Sequence, residues 1–166
     1  TLDDEVVIAS IKSKMHTISA EVTAGLAKGL EIAEAGYKGM VIWTQDGPFS
    51  AGADLQSMMP AFMSGGGKAI APFEKQLQDF MLSLRYSNVP TVAAMHGLAL
   101  GGGCELAVHA AKRVATMETY VGLVEVGVGL IPGGGGLAYL ARRAAEQVEA
   151  SKGVSGMVGA ELMGFV

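Results

Sequence analysis

The 166-residue chain is 50% hydrophobic and 17% charged, enough apolar material for one domain with its own core and too much for a disordered segment. A net charge of −4 with no Lys/Arg cluster excludes a nucleic-acid surface, and a single cysteine, Cys104, excludes a disulfide framework and multi-cysteine zinc patterns. No apolar run reaches the about 18 residues that span a bilayer, and the start Thr1-Leu2-Asp3-Asp4-Glu5 is acidic where a signal peptide is basic, so a soluble, cytoplasmic chain is expected.

Val6 to Ile11 is a β-branched run suited to a strand. Ser19 is a plausible N-cap with Glu21 in the first turn, and Val22, Leu26, Leu30 and Ala33 recur at helical spacing until Gly36. "KGMVIWTQ" then reads as a second strand, apolar throughout and so buried on both faces. "DGPFSAGADL" leaves it through a Gly47-Pro48 turn. "SMMPAFMSGGGKAIAP" carries two prolines and three glycines, which predicts a mobile excursion with a short helix.

Phe73, Leu77, Phe80, Met81 and Leu84 mark an amphipathic helix that stops before Asn88-Val89-Pro90. "TVAAM" is the next buried strand and leads into Gly101-Gly102-Gly103. Cys104 to Ala111 reads as a short helix, "RVAT" as a strand, "VGLVEVGVGLIPGGGG" as a glycine-punctuated loop and "LAYLARRAAEQVEA" as a closing helix. Strands alternating with helices predict an α/β domain with largely parallel sheets.

The glycines carry the chemical argument. There are 24 of them, about twice the usual share, in short clusters with no collagen-like period. A strand that ends in small residues and turns into a helix exposes backbone N–H groups with positive dipole character. Two such turns occur, at Ser50-Ala51-Gly52-Ala53-Asp54 and at Gly101-Gly102-Gly103-Cys104-Glu105. Donors converging from two turns would form an oxyanion hole, each worth about 2.7–4 kcal/mol to catalysis. The opposing reading is that glycines only let a helix pack tightly on a strand.

Glu105 and Glu125 weigh toward chemistry, because both stand in apolar, glycine-rich surroundings where an unpaired charge is costly. Nucleotide-binding motifs fail on spacing. Phe62 occupies the first glycine position of a phosphate loop ending Gly67-Lys68, and Pro132 the last position of a dinucleotide fingerprint begun at Gly127 and Gly129. His96 and His109 read as structural, and Cys104 as a small packing residue with no base evident nearby in sequence. Met58, Met59 and Met63 suit either a flexible apolar pocket or ordinary core.

"PFSAGADL", "HGLALGGGCELAV" and "VEVGVGLIPGGGG", in that order and spacing, resemble the crotonase superfamily of enoyl-CoA hydratases and isomerases. The resemblance runs from Val6 to Val166, and its last segment is "GMVGAELMGFV". It implies a ββα spiral, one crotonase-like acyl-CoA domain over residues 1–166, and a C-terminal helical part missing from this sequence. It puts oxyanion donors at the N–H groups of Ala53 and Gly102, acid/base carboxylates at Glu105 and Glu125, and substrate contacts at Ala51, Asp54, Leu55 and Gln56. Val124 stands where the family often has proline.

"IKSKMHTIS" and "KGMVIW" are similar to the crotonase segment of bacterial multifunctional proteins that carry a 3-hydroxyacyl-CoA dehydrogenase module. The implied activity is hydration of a trans-2-enoyl-CoA in fatty-acid β-oxidation, and with no initiating methionine the chain is expected to be the interior of a longer one. Alternatives are a Δ3-Δ2-enoyl-CoA isomerase or another acyl-CoA enzyme of the superfamily, and a noncatalytic acyl-CoA-binding or assembly segment. Hydration implies no cofactor and no metal, coenzyme A being part of the substrate. NAD would belong to a dehydrogenase module elsewhere, and a homo-oligomer or multifunctional complex is expected.

Overall fold

The computed structural model describes residues 1–151; the "GMVGAELMGFV" segment lies outside the described residues. The chain runs β1 (Val6–Ala9), α1 (Ala20–Gly36), β2 (Gly39–Trp43), α2 (Leu55–Arg85), β3 (Thr91–Met95), β4 (Leu98–Leu100), α3 (Gly102–His109), β5 (Lys112–Ala115), β6 (Tyr120–Gly122) and α4 (Gly136–Ser151). Short 3-10 turns cover Lys14–His16 and Glu125–Val128.

Every pairing between these strands is parallel, as the alternation of strands and helices predicts. The larger sheet has the order β1-β2-β3-β5, with Val6 opposite Gly39, Met40 opposite Thr91 and Val92 opposite Lys112. The smaller pairs β4 with β6, Leu98 opposite Tyr120. A bridge between Ser50 and Ala99 brings the segment after β2 alongside β4. The two glycine-rich turns, about fifty residues apart in sequence, thereby become neighbours.

α1 begins where Ser19 Oγ accepts the Val22 N–H at 3.2 Å, and it buries Leu26, Leu30 and Ala33. Each large aliphatic side chain buried in this way contributes roughly 1.5–3 kcal/mol. The apolar face of α2, Leu77, Phe80, Met81 and Leu84, joins the same core, with Met40, Ile42, Ala93 and Met95 from the sheet. α3 is buried over its whole length. It packs against β3, β4, β5, α2 and α4, so its side chains are held from several directions.

Two expectations change. The excursion after Ala53 is helical, because α2 runs from Leu55 through Pro60 and Pro72 to Arg85, broken at Gly66 (φ 58°, ψ −150°). Each proline removes one backbone donor, and the break is confined to a conformation that only glycine adopts readily. The triple glycine also does not follow directly on the "TVAAM" strand. The chain turns at Gly97 (φ 61°) and forms β4 before reaching Gly101.

Candidate active site

The site forms where the two glycine-rich turns meet. Gly101 adopts φ 51° and ψ −121° at the N-cap of α3, so the first residues of that helix face the turn after β2. A Cβ on Gly103 would lie 2.8 Å from the Ser50 carbonyl oxygen and 2.7 Å from its Cβ, and one on Gly102 would lie 3.4 Å from Ala53 N. Side chains here would push the turns apart.

The hydrogen bonds of this region spend the surrounding amides. Gly52 N donates to Ser50 Oγ at 3.1 Å, Asp54 N to the Ile18 carbonyl at 2.9 Å, and Gly101 N to the Gly122 carbonyl at 2.9 Å. The N–H groups of Ala53 and Gly102 have no acceptor among the described residues. Two adjacent amides without acceptors are what a developing oxyanion requires.

Glu105 sits in the first turn of α3 with 2% of its surface exposed. Its carboxylate accepts the Gly134 N–H at 3.1 Å and the Gly136 N–H at 2.8 Å, so the last glycine cluster folds over it. A Cβ on Gly134 would come within 2.6 Å of Glu105 Oε2. Burial pushes this carboxyl above the ordinary carboxylate range. The charges of Glu125 and Glu74 add to the rise and the two amides oppose it.

Glu125 opens the 3-10 turn after β6. Its Oε1 lies 3.1 Å from where a Cβ on Gly101 would be, and its Oε2 is buried without a hydrogen-bond partner among the described residues. The smaller sheet thus carries Glu125 to one side of the α3 N-terminus while α3 itself carries Glu105. Ala51, Asp54, Leu55 and Gln56 follow one another through the turn into α2. Ala51 N donates to the Met15 carbonyl at 3.1 Å, and Asp54 caps α2, its Oδ1 accepting the Ser57 N–H at 3.2 Å. Gln56 is exposed.

A cavity of about 570 Å³ opens beside Ala53, between α2 and the loop before α4. Leu55, Met58, Met59 and Phe62 line it from α2, with Leu130 and Ile131 opposite. Met58 and Met59 belong to a pocket wall, whereas Met63 is 76% exposed and does not line it. Such a volume, largely apolar with a few polar groups at one end, suits a small organic ligand.

Of the remaining candidates, His96 Nε2 lies 2.8 Å from the Thr44 carbonyl, and His109 Nδ1 lies 2.7 Å from the Glu105 carbonyl one helical turn back. Burial lowers the affinity of His109 for a proton, as expected of a neutral structural imidazole. Cys104 packs with Val108 and Tyr139, and burial, followed by the charges of Glu105 and Glu125, pushes its thiol up to about 12. It is protonated at neutral pH and no nucleophile. No group of three or more His, Cys, Asp or Glu among the described residues is placed to hold a metal ion, and no described helix is long and apolar enough to cross a membrane.

Sequence reasoning missed Glu74, which lines the same cavity from α2. The signal was present. Leu77, Met81 and Leu84 form a buried stripe at steps of three and four, and one step back along it lies Glu74.

A family model described as enoyl-CoA hydratase/isomerase matches residues 6–153. The chain is 40% identical over 135 residues to a Bacillus subtilis protein named probable 3-hydroxyacyl-CoA dehydrogenase, covering 81% of this chain and 17% of that one. It is 39% identical over 130 residues to a putative fatty acid oxidation complex trifunctional enzyme of Rickettsia felis, covering 78% and 18%. Among solved structures, an enoyl-CoA hydratase from Polaromonas sp. JS666 superposes with a TM-score of 0.79 at 26% identity, over 87% of this chain and 58% of that one. An enoyl-CoA hydratase from Thermoplasma volcanium does so at 0.74 and 27%, over 97% and 66%. The chain therefore spans under a fifth of the length of these two curated relatives.

Proposed function

Since this chain belongs to the enoyl-CoA hydratase/isomerase family, we propose that it adds water across the double bond of a trans-2-enoyl-CoA, as the hydratase part of a longer fatty-acid-oxidation polypeptide. The observation that carries the reading is the grouping of two acceptor-free amides, Ala53 and Gly102, with the buried carboxylate of Glu105 and the half-buried Glu125, one oxygen of which is enclosed. The thioester oxygen accepts the two N–H groups, and charge that builds on it during addition is stabilised there. Glu105 takes a proton from the attacking water as its oxygen bonds to the β-carbon. Glu125 enters protonated and gives that proton to the α-carbon, while the second hydrogen of the water stays on the new hydroxyl. The proton left on Glu105 then returns to Glu125, so one water is consumed and both carboxyls are restored. The cavity beside Ala53 receives the acyl group, with coenzyme A running past Ala51 and Asp54 to Gln56.

Hydration in this form draws on no cofactor. A dehydrogenase activity, and NAD with it, is proposed only for sequence outside this chain, on the strength of the names of the Bacillus and Rickettsia relatives. Those names also support assembly as a multifunctional or oligomeric enzyme, and we place it in the cytoplasm, where Cys104 stays reduced.

Glu105→Gln and Glu125→Gln in the full-length protein are each expected to lower crotonyl-CoA hydration by about 10²- to 10⁴-fold, followed by loss of the enoyl-thioester absorbance. Unchanged rates would remove both carboxylates from the reaction. Supplied with a 3-enoyl-CoA, an enzyme that moved the double bond without ever hydrating it would be an isomerase, and the proposal would fall.

A further inference from the structure

Glu74 has no part in the hydration scheme, yet it stands in the wall of the acyl cavity. Its neighbour Lys75 is paired with Asp79 at the surface, 70% and 57% exposed, and offers it no cation. Glu74 Oε2 is buried with no hydrogen-bond partner among the described residues. The backbone of Gly133 comes close to it, for a Cβ there would lie within 2.8 Å of that oxygen. Gln78, one turn further along α2, fixes the same glycine by donating Nε2 to its carbonyl at 2.7 Å. Burial raises the affinity of the Glu74 carboxyl for a proton, consistent with its weak solvation. The opposite wall, from Val128 to Ile131, is apolar except for its glycine.

We infer that Glu74 selects the acyl group: the cavity favours a chain with a hydroxyl a few carbons beyond the double bond over a plain alkyl chain of equal length, and rejects one ending in a carboxylate. This rests on the reading that the cavity receives the acyl group of an acyl-CoA. A plain chain leaves Glu74 without a hydrogen bond, whereas a hydroxyl supplies one. A carboxylate adds like charge beside Glu74 and Glu105 in a poorly screened wall.

The loop sets the depth. Gly134 holds Glu105, which faces C3 in the proposed reaction, and Gly133 is the adjacent residue. Glu74 therefore meets the chain past C3, and a hydroxyl at C5 is the position taken to test it.

The test uses the full-length protein as wild type, Glu74→Gln and Glu74→Leu. Substrates are trans-2-hexenoyl-CoA, its 5-hydroxy analogue and trans-glutaconyl-CoA, and Kd is measured by calorimetry for the saturated hexanoyl and 5-hydroxyhexanoyl thioesters. The wild type is expected to prefer the hydroxy chain by about tenfold or more in kcat/KM and in affinity. Glu74→Leu should reverse that preference, and Glu74→Gln should admit glutaconyl-CoA. The same ranking in wild type and Glu74→Leu overturns the inference. If the wild type hydrates none of the substrates, the hydratase reading fails while the two Kd values still judge Glu74. Absence of binding by either thioester overturns both.

Discussion

Three carboxylates share one small region, and each is solvated differently. Glu105 has two backbone donors, while one oxygen of Glu125 and one of Glu74 have none. Glu105 must be ionised to accept a proton from water, and burial with its two acidic neighbours raises its pKa. The acid limb of kcat/KM is therefore expected above the ordinary carboxylate range. Removing the charge at position 74 relieves part of the repulsion, which lowers the Glu105 pKa, so the limb should move to lower pH in Glu74→Gln. A limb that stays in place in a measured pH profile would mean that the two groups do not sense one another.

Glu105 and Glu125 were legible in the sequence because glycine and apolar residues surround them. Glu74 was hidden among Lys75, Gln76, Gln78 and Asp79, which mark a solvated helix face, and only extension of the Leu77-Met81-Leu84 stripe reveals its inward position.

At the scale of elements, the approach of α3 to the turn after β2 depends on the absence of a side chain at position 103. Gly103→Ala would drive a methyl group against the Ser50 carbonyl and Cβ, and the backbone on at least one side must give. Such overpacking costs typically about 1–3 kcal/mol. The expected outcome is a lowered midpoint in denaturant with an unchanged m value, together with a larger loss of activity than of helical signal. A midpoint equal to wild type would show that the turns are not tightly apposed.

α1, β2 and β3 were legible because capping and periodicity are local signals. β4 and β6 were not, since each is only three residues long, β4 set between Gly97 and Gly101 and β6 ending in Gly122, and each is stabilised by a partner about twenty residues away. The length of α2 was likewise obscured. Pro60, Pro72 and Gly65 to Gly67 read as breakers, whereas the structure absorbs them with a single break at Gly66.

Over the whole molecule, the parallel order is a consequence of the alternating pattern, but the pairing of Ser50 with Ala99 that assembles the site is a long-range event no local signal encodes. β2 and β3 are each paired on both sides, while β1 and β5 form the edges of the described sheet. Amides of Met40 to Ile42 and Val92 to Ala94 are expected to be the slowest to exchange with deuterium in the full-length protein, and those of β1 and β5 to open earlier. Equal protection across all four strands would contradict this ordering.

The grip of Gly134 and Gly136 on Glu105 has one more consequence. The proposed base is also the fastener that ties α3 to the loop forming the far wall of the cavity. A variant made inert by replacing Glu105 is thus not a silent stand-in for the working enzyme, because an amide or methyl group there also loosens the wall. Capturing an intact substrate complex is better attempted by altering Glu125, whose carboxylate holds no backbone in place among the described residues.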